Sequence, residues 1–324
     1  MQAIVYTEYG PPDVLRFTEV GRPVPKDDQV LIRVRAASLN PLDWHFLRGS
    51  PYFLRLMTGW RRPKVTGLGV DVAGEVAAVG KSVTRFRPGD AVFGTCRGAL
   101  AEYACAAERG LAPKPANLTF EQAAAVPVAA ISALQGLRDK GRVQPGQRVL
   151  INGAAGGVGT FAVQLARWLG AEVTGVCSTR NVELVRSLGA HHVVDYTRED
   201  FTQGGQRYDM ILDMIGNRSL FELRRTLTPK GTLVLVGAPS EGRWLGPLTA
   251  MIKAGVCSRF VSQNLRPLMA HLRGEDLMVL RELLQAGTVT PVIDRSYPLR
   301  EVPEAIRYLE TGRARGKIVI TVSG

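Results

Sequence analysis

The 324-residue sequence predicts an α/β protein whose centre is a doubly wound parallel sheet, preceded by a β-rich region. Three observations predict it. Valine-rich runs broken by Gly and Pro fill residues 1–115. Short apolar strands alternate with helical stretches after residue 146, and a Gly-rich turn joins the first of those strands to a helix. The length suits two domains of roughly 100–200 residues each.

In chain order, residues 29–35 and 70–79 read as strands, with turns at Gly10-Pro11-Pro12 and Arg87-Pro88-Gly89-Asp90. An Ala- and Leu-rich helix is expected over 120–140. Beyond Gln144-Pro145-Gly146, residues 148–152 read as a buried strand and 157–169 as a helix ending at Gly170. The next strand is expected at 172–177 and the next helix at 181–188, before Gly189-Ala190. Further apolar strands are expected at 192–195, 210–213 and 233–236. Repeated β-α-β units require a parallel sheet with helices on its faces. An amphipathic helix at 276–285, a strand-like stretch at 289–297, a helix at 302–310 and a strand at 317–322 follow.

Hydrophobic residues make up 45% and charged residues 22%, an ordinary globular composition. No run of about 20 apolar residues is present, so no membrane span is expected. The opening MQAIVYTEYG alternates like a strand and does not read as a secretory leader. Cys96, Cys105, Cys177 and Cys257 form no CxxC pair and read as thiols in a reducing compartment, with the cytoplasm as the expected location. The formal charge is +12, from 41 basic and 29 acidic residues. Its short clusters, Arg61-Arg62 and 313–317, lack interleaved aromatics, so no nucleic-acid partner is expected. The positive field suits attraction of an anionic cofactor.

The strongest motif is VLINGAAGGVGTFAVQLARWLGAEVTGVCSTR. The glycines of its turn are Gly153, Gly156, Gly157 and Gly159, an AxGxxG variant beginning at Ala154. An apolar strand precedes it, a helix follows, and a second strand ends about 25 residues on, the setting of a Rossmann dinucleotide site. The turn Ala155, Gly156, Gly157 and Val158 is expected to meet the pyrophosphate. Missing Cβ atoms let its N–H groups approach, and the helix N-terminus offers about half a positive charge.

A site selective for NAD carries Asp or Glu at the end of the second strand, on the ribose 2′-hydroxyl. Here that strand ends in Cys177-Ser178-Thr179-Arg180. A hydroxyl and a guanidinium suit a 2′-phosphate, so Ser178 and Arg180 predict NADPH. The alternative for Arg180 is a solvated loop position. Tyr196 either stacks beside the adenosine or packs.

These segments resemble the zinc-independent branch of the medium-chain dehydrogenase/reductase superfamily, near quinone oxidoreductases of the zeta-crystallin type. The likeness spans Met-Gln-Ala-Ile-Val at the start, Ala37-Ser38-Leu39-Asn40-Pro41-Leu42-Asp43-Trp44 and Gly67-Leu68-Gly69-Val70-Asp71-Val72-Ala73-Gly74. It continues through Gly98-Ala99-Leu100-Ala101-Glu102-Tyr103, Ala125-Val126-Pro127, the Gly-rich turn and Arg315-Gly316-Lys317. The resemblance implies a Rossmann doubly wound parallel sheet inserted in a β-rich GroES-like catalytic domain. The expected divisions are 1–118 for the first part of the catalytic domain, 119–263 for the NADPH-binding domain, and 264–324 for the returning segment. A homodimer joined at a sheet edge, with 259–263 at that edge, is also implied.

Zinc-using relatives carry a cysteine near position 40 and Gly-His-Glu near 67–71. This chain has Asn40 and Gly69-Val70-Asp71, and Cys96 and Cys105 are too few for a structural zinc, so no metal is expected. Without a Lewis acid, hydride addition to a quinone or an α,β-unsaturated carbonyl is favoured, because the charge delocalises. The resemblance places Asn40 where it would donate to the substrate oxygen or to cofactor hydroxyls. Asp43, three residues on, shares that face if the segment is helical, or else braces the loop. Tyr52 falls where relatives place a substrate-contacting tyrosine, and otherwise packs in a lid. Ser132 matches a cofactor-contacting threonine, with a buried helix serine as the alternative. Lys317 matches a cofactor-facing lysine, with a solvated lysine as the alternative. Two other functions stay open, a non-catalytic NADPH-binding or sensor protein and an enoyl-thioester reductase.

Overall fold

The computed structural model describes residues 1–236 and 261–322. The chain divides into two compact units, residues 1–131 with 272–324, and residues 132–271.

The first unit opens with β1 (Gln2–Val5), β2 (Arg16–Glu19) and β3 (Gln29–Leu39), then α1 (Pro41–Arg48) and α2 (Leu54–Thr58). β4 (Asp71–Val79), β5 (Ala91–Thr95), β6 (Tyr103–Ala107), β7 (Leu111–Pro113), α3 (Phe120–Ala124) and α4 (Pro127–Leu134) follow. The second unit contains β8 (Arg148–Asn152), α5 (Gly157–Trp168), β9 (Glu172–Cys177), α6 (Val182–Ser187) and β10 (His192–Asp195). It continues with β11 (Tyr208–Asp213), α7 (Leu220–Arg225), β12 (Leu227–Leu235) and β13 (Asn264–Pro267). The chain then returns to the first unit with a helix at Gly274–Gln285, β14 (Ile293–Pro298), a helix at Val302–Glu310 and β15 (Lys317–Thr321).

The expected single helix over 120–140 is three pieces. Pro127 lacks an N–H and fits the first turn of a new helix, so α3 stops and α4 begins there. The last piece, Gln135–Gly141, widens into a π-helix and ends at Arg142, whose φ is 52°. The unit boundaries fall later than the expected 118/119 and 263/264. α3 packs on β3 and β4, which draws it into the first unit, and β13 pairs with β12, which keeps it in the second. The strand expected from residue 289 begins at Ile293.

In the first unit the strand order is β14-β15-β3-β4-β5-β7, with β6 also paired to β3. β15 runs antiparallel along β3, with Ile318 opposite Leu39, and β4 flanks the other edge, with Asp71 opposite Ser38. Both ends of the unit's chain therefore build one sheet. Their shared core joins Ile4, Ile32, Leu39 and Val72 with Ile306, Ile318 and Ile320.

In the second unit the six described strands are all parallel, in the order β10-β9-β8-β11-β12-β13. This is the doubly wound Rossmann order, reversing direction between β8 and β11, where such sheets bind ligands beyond the strand ends. Leu150, Val176, Ile211 and Leu233 fill one face of it. Among the described residues β13 is an edge strand. Of the expected edge segment 259–263, residues 259 and 260 lie outside the described residues, as does Cys257. No described helix is long and apolar enough to cross a membrane.

Candidate active site

Strand register assembles the first group of site residues. Asn40 follows β3, Asp71 opens β4 and Lys317 opens β15, so three adjacent strands end at one point. Asp71 is fully buried, and four donors converge on it. Ser38 Oγ lies at 2.8 Å, Asn40 Nδ2 at 2.9 Å and Lys317 Nζ at 3.2 Å from Oδ2, while Val128 N lies at 2.9 Å from Oδ1. Lys317 also donates to Leu39 O at 3.0 Å and to Asn40 Oδ1 at 2.7 Å. An ammonium has three N–H donors. All three are engaged here, so the expected cofactor-facing role of Lys317 gives way to an internal one. A buried lysine needs such acceptors to stay charged.

Asn40 is 3% exposed and is held from both ends of its amide. One of its two N–H groups goes to Asp71, and the other is uncommitted among the described residues. The chain after β3 does turn helical, and Asp43 sits in the first turn of α1 with Oδ2 accepting the Asn40 N–H at 2.7 Å. Asp43 thus braces the segment that presents Asn40.

The other carboxyl oxygen of Asp43, Oδ1, is buried without a well-formed hydrogen bond. Burial, and then the Asp71 charge, push its carboxyl up to about 7, tempered by the Asn40 N–H, Lys317 and the nearby Gly69 N–H. A raised folded value contributes stability that is fully present below the unfolded value, near 4, and is lost as pH rises through about 7. In that window wild type should lose up to about 1.4 kcal/mol per pH unit that Asp43→Asn does not lose. Urea unfolding at pH 4.5, 6 and 8 measures it. A wild-type-minus-variant difference that stays flat with pH would show that Asp43 ionises normally.

Asp43 also lines a cavity of about 160 Å³ in the first unit, together with Tyr6, Phe46, Lys64, Val65 and Arg97. Tyr52 is not part of that wall. Arg55 spans the Tyr9 and Tyr52 rings, 4.5 and 4.7 Å from their centroids, and donates to Gly49 O, so Tyr52 packs in the α1–α2 connection.

The second unit gathers the nucleotide residues. Gly156 caps α5 without a side-chain hydrogen bond, which leaves the first-turn N–H groups of Gly157 and Val158 directed to a ligand, beside Ala155. A Cβ on Gly159 would lie 2.1 Å from Gly153 O, so only glycine lets α5 pack on the turn. A Cβ on Gly156 would meet nothing nearer than Gly153 O at 3.4 Å, so the fold itself does not demand that glycine. Together these fit a pyrophosphate. Ser178 and the exposed Arg180 follow β9, and Tyr196, 55% exposed, follows β10 with its N–H on Cys177 O at 3.0 Å. Asp195, paired across from Cys177, is occupied by the hydroxyls of Thr179 and Thr197, which hold its carboxyl below the usual range. Ser132 is buried in α4, and the side chain of its helical neighbour Gln135 exchanges hydrogen bonds with the His271 backbone.

Sequence reasoning missed two groups. Asp71 was noted only as a replaced ligand, and Asp213 not at all. Asp213 ends β11 at the sheet's reversal point, fully buried, and binds Asn152 Nδ2 at 2.8 Å and the N–H groups of Ile215 and Gly216 at 3.1 Å. The spacing Asp213-Met214-Ile215-Gly216 after a strand was the available signal.

Residues 26–116 match the alcohol dehydrogenase GroES-like domain, and residues 188–320 match the family described as zinc-binding dehydrogenase. The 2-methylene-furan-3-one reductase of Solanum lycopersicum is 36% identical, over 99% of this chain and 79% of that protein. The chloroplastic NADPH-dependent alkenal/one oxidoreductase of Arabidopsis thaliana is 34% identical, over 99% and 79%. The solved quinone oxidoreductase of Coxiella burnetii superposes with a TM-score of 0.87 at 31% identity, covering 100% of this chain and 99% of that one. The fold and site therefore define a medium-chain dehydrogenase/reductase. Within that superfamily the chain belongs to the quinone oxidoreductase branch.

Proposed function

We propose that the chain is an NADPH-dependent reductase that passes hydride to a quinone or an α,β-unsaturated carbonyl without a metal ion. The observation that carries this reading is the Asn40–Asp71–Lys317 cluster. It offers an amide N–H held by a buried ion pair, at the position where zinc-using relatives carry a cysteine ligand. NADPH, when bound, supplies the hydride. Asn40 then donates its remaining amide N–H to the acceptor oxygen, and Lys317 and Asp71 hold that amide in place.

Zinc does not fit these residues. An ammonium already neutralises Asp71, and position 40 is an amide. Burial and Asp71 push the Cys96 thiol up, away from the thiolate that zinc requires. No group of three or more His, Cys, Asp or Glu among the described residues is placed to hold a metal ion. Purified protein should therefore consume NADPH with an ortho-quinone or 3-penten-2-one, contain no stoichiometric zinc and keep its activity in chelator. One tightly bound zinc per chain, or failure with every quinone and enone, would overturn the reading.

The preference for NADPH rests on Ser178 and Arg180 and on the absence of a carboxylate at the end of β9. NADPH should bind at least about tenfold tighter than NADH, and Arg180→Ala should erase most of the difference. Fluorescence titration of both cofactors decides it, and an unchanged ratio in the variant would remove Arg180 from the site.

The three described cysteines are unpaired, which supports a reducing compartment, the cytoplasm in our reading. The edge strand β13 supports a homodimer paired sheet to sheet.

A further inference from the structure

The cavity of the first unit has walls of two kinds. Tyr6, Phe46 and Val65 make it apolar, and Lys64 and Arg97 bring two cations to it from loops 33 positions apart in the chain. Both cations are exposed, and neither makes an ion pair with a described residue. Their backbones are nonetheless fixed. Lys64 N donates to Thr58 O at 2.7 Å, Cys96 N to Val70 O at 2.9 Å and Gly98 N to Gly69 O at 3.0 Å, so the loops on either side are tied in place. Among the described residues the only carboxyl in the lining is Asp43, and burial favours its neutral form. Arg61 and Arg62, also exposed and without a described ion pair, add to the field beside Lys64. Through Asp43 and the Gly69–Val70 wall, the cavity adjoins the Asn40–Asp71–Lys317 cluster.

We infer that this cavity selects acceptors carrying an anionic group, with Lys64 and Arg97 binding a carboxylate or phosphate on the part of the molecule remote from the reacting bond. The inference rests on the reductase reading above and deepens it. Two cations carried on tied loops, without a counterion among the described residues, complement an amphipathic anion on an apolar pocket, and they do little for a neutral enone.

The test compares anionic acceptors with uncharged counterparts that carry the same reacting group. At saturating NADPH, 4-oxopent-2-enoate should show a KM about tenfold below that of its methyl ester, with a smaller effect on kcat. Crotonyl-coenzyme A against the neutral N-acetylcysteamine thioester gives the same comparison for a phosphate-bearing tail and identifies the source of the anion. Added salt should raise the KM of the favoured anion and leave the neutral partner's KM in place. In Lys64→Gln/Arg97→Gln the ester-to-acid KM ratio should fall from about ten to about one. Equal KM values for both charged and neutral pairs in wild type, or a preference that persists in the double variant, would overturn the inference. If no acceptor is reduced, the reductase reading fails instead. Calorimetric binding of 4-oxopentanoate against its methyl ester then decides the cavity's charge selectivity without turnover, and equal affinities would sink it.

Discussion

Lys317→Met should destabilise the first unit by about 3–5 kcal/mol, because it leaves Asp71 as a buried charge without its cation. Asp71 is fully enclosed and Lys317 is 3% exposed, so water cannot replace the lost partner. Ser38, Asn40 and the Val128 N–H would still donate to the carboxylate, which places the loss within that range and keeps the chain foldable. The thermal midpoint should fall on the order of 10 °C. Adding Asp71→Asn to Lys317→Met removes the stranded charge, and most of the loss should return. A double variant no more stable than Lys317→Met would show that the pair contributes by packing, not by charge. The single variant should also reduce turnover, since Asn40 Oδ1 loses the donor that orients its amide.

Gly159→Ala should abolish NADPH binding and lower stability, whereas Gly156→Ala should weaken binding and leave stability intact. The difference lies in what the new methyl group meets. At position 159 it lies 2.1 Å from Gly153 O and 2.8 Å from the Ala154 backbone, so α5 must move away from the turn. That displacement carries the N–H groups out of reach of the phosphates, and a fall of more than about a hundredfold in affinity is expected. At position 156 the protein leaves room, and the methyl group stands instead where the phosphate approaches. About tenfold weaker binding with an unchanged unfolding midpoint is expected. Parallel thermal unfolding and NADPH titration of the two variants reads both effects. A Gly156→Ala protein that binds NADPH normally would move the pyrophosphate off this turn.

The legible and illegible parts of the molecule separate by the range of the interactions that make them. β8, β9 and β10 start and stop where the sequence places them, because each is a short run with turn residues at its ends, and β8 and β9 are apolar and almost wholly buried. The Gly-rich turn is equally local, and its four residues do meet at the head of α5. The helix broken at Pro127 was legible in principle, since the proline stands in the sequence, but alanine and leucine on both sides masked it. Lys317 could not be placed from sequence. Its partners are Asn40 and Asp71, and only the register of β15 on β3 brings them together. The surroundings of Tyr52 were hidden for a related reason, because Arg55 is three residues away while the second ring that Arg55 covers, Tyr9, lies far earlier in the chain.

The shared sheet of the first unit also imposes an order on biosynthesis. Residues 132–271 are contiguous and can collapse as they leave the ribosome, while β3 and β4 wait for β15, nearly three hundred residues after β3 begins. A nascent chain paused before residue 317 holds Asp71 without its countercharge and β3 with half of one edge open. The nucleotide-binding half is thus ready early, and the acceptor-binding half is assembled only when the last strand arrives.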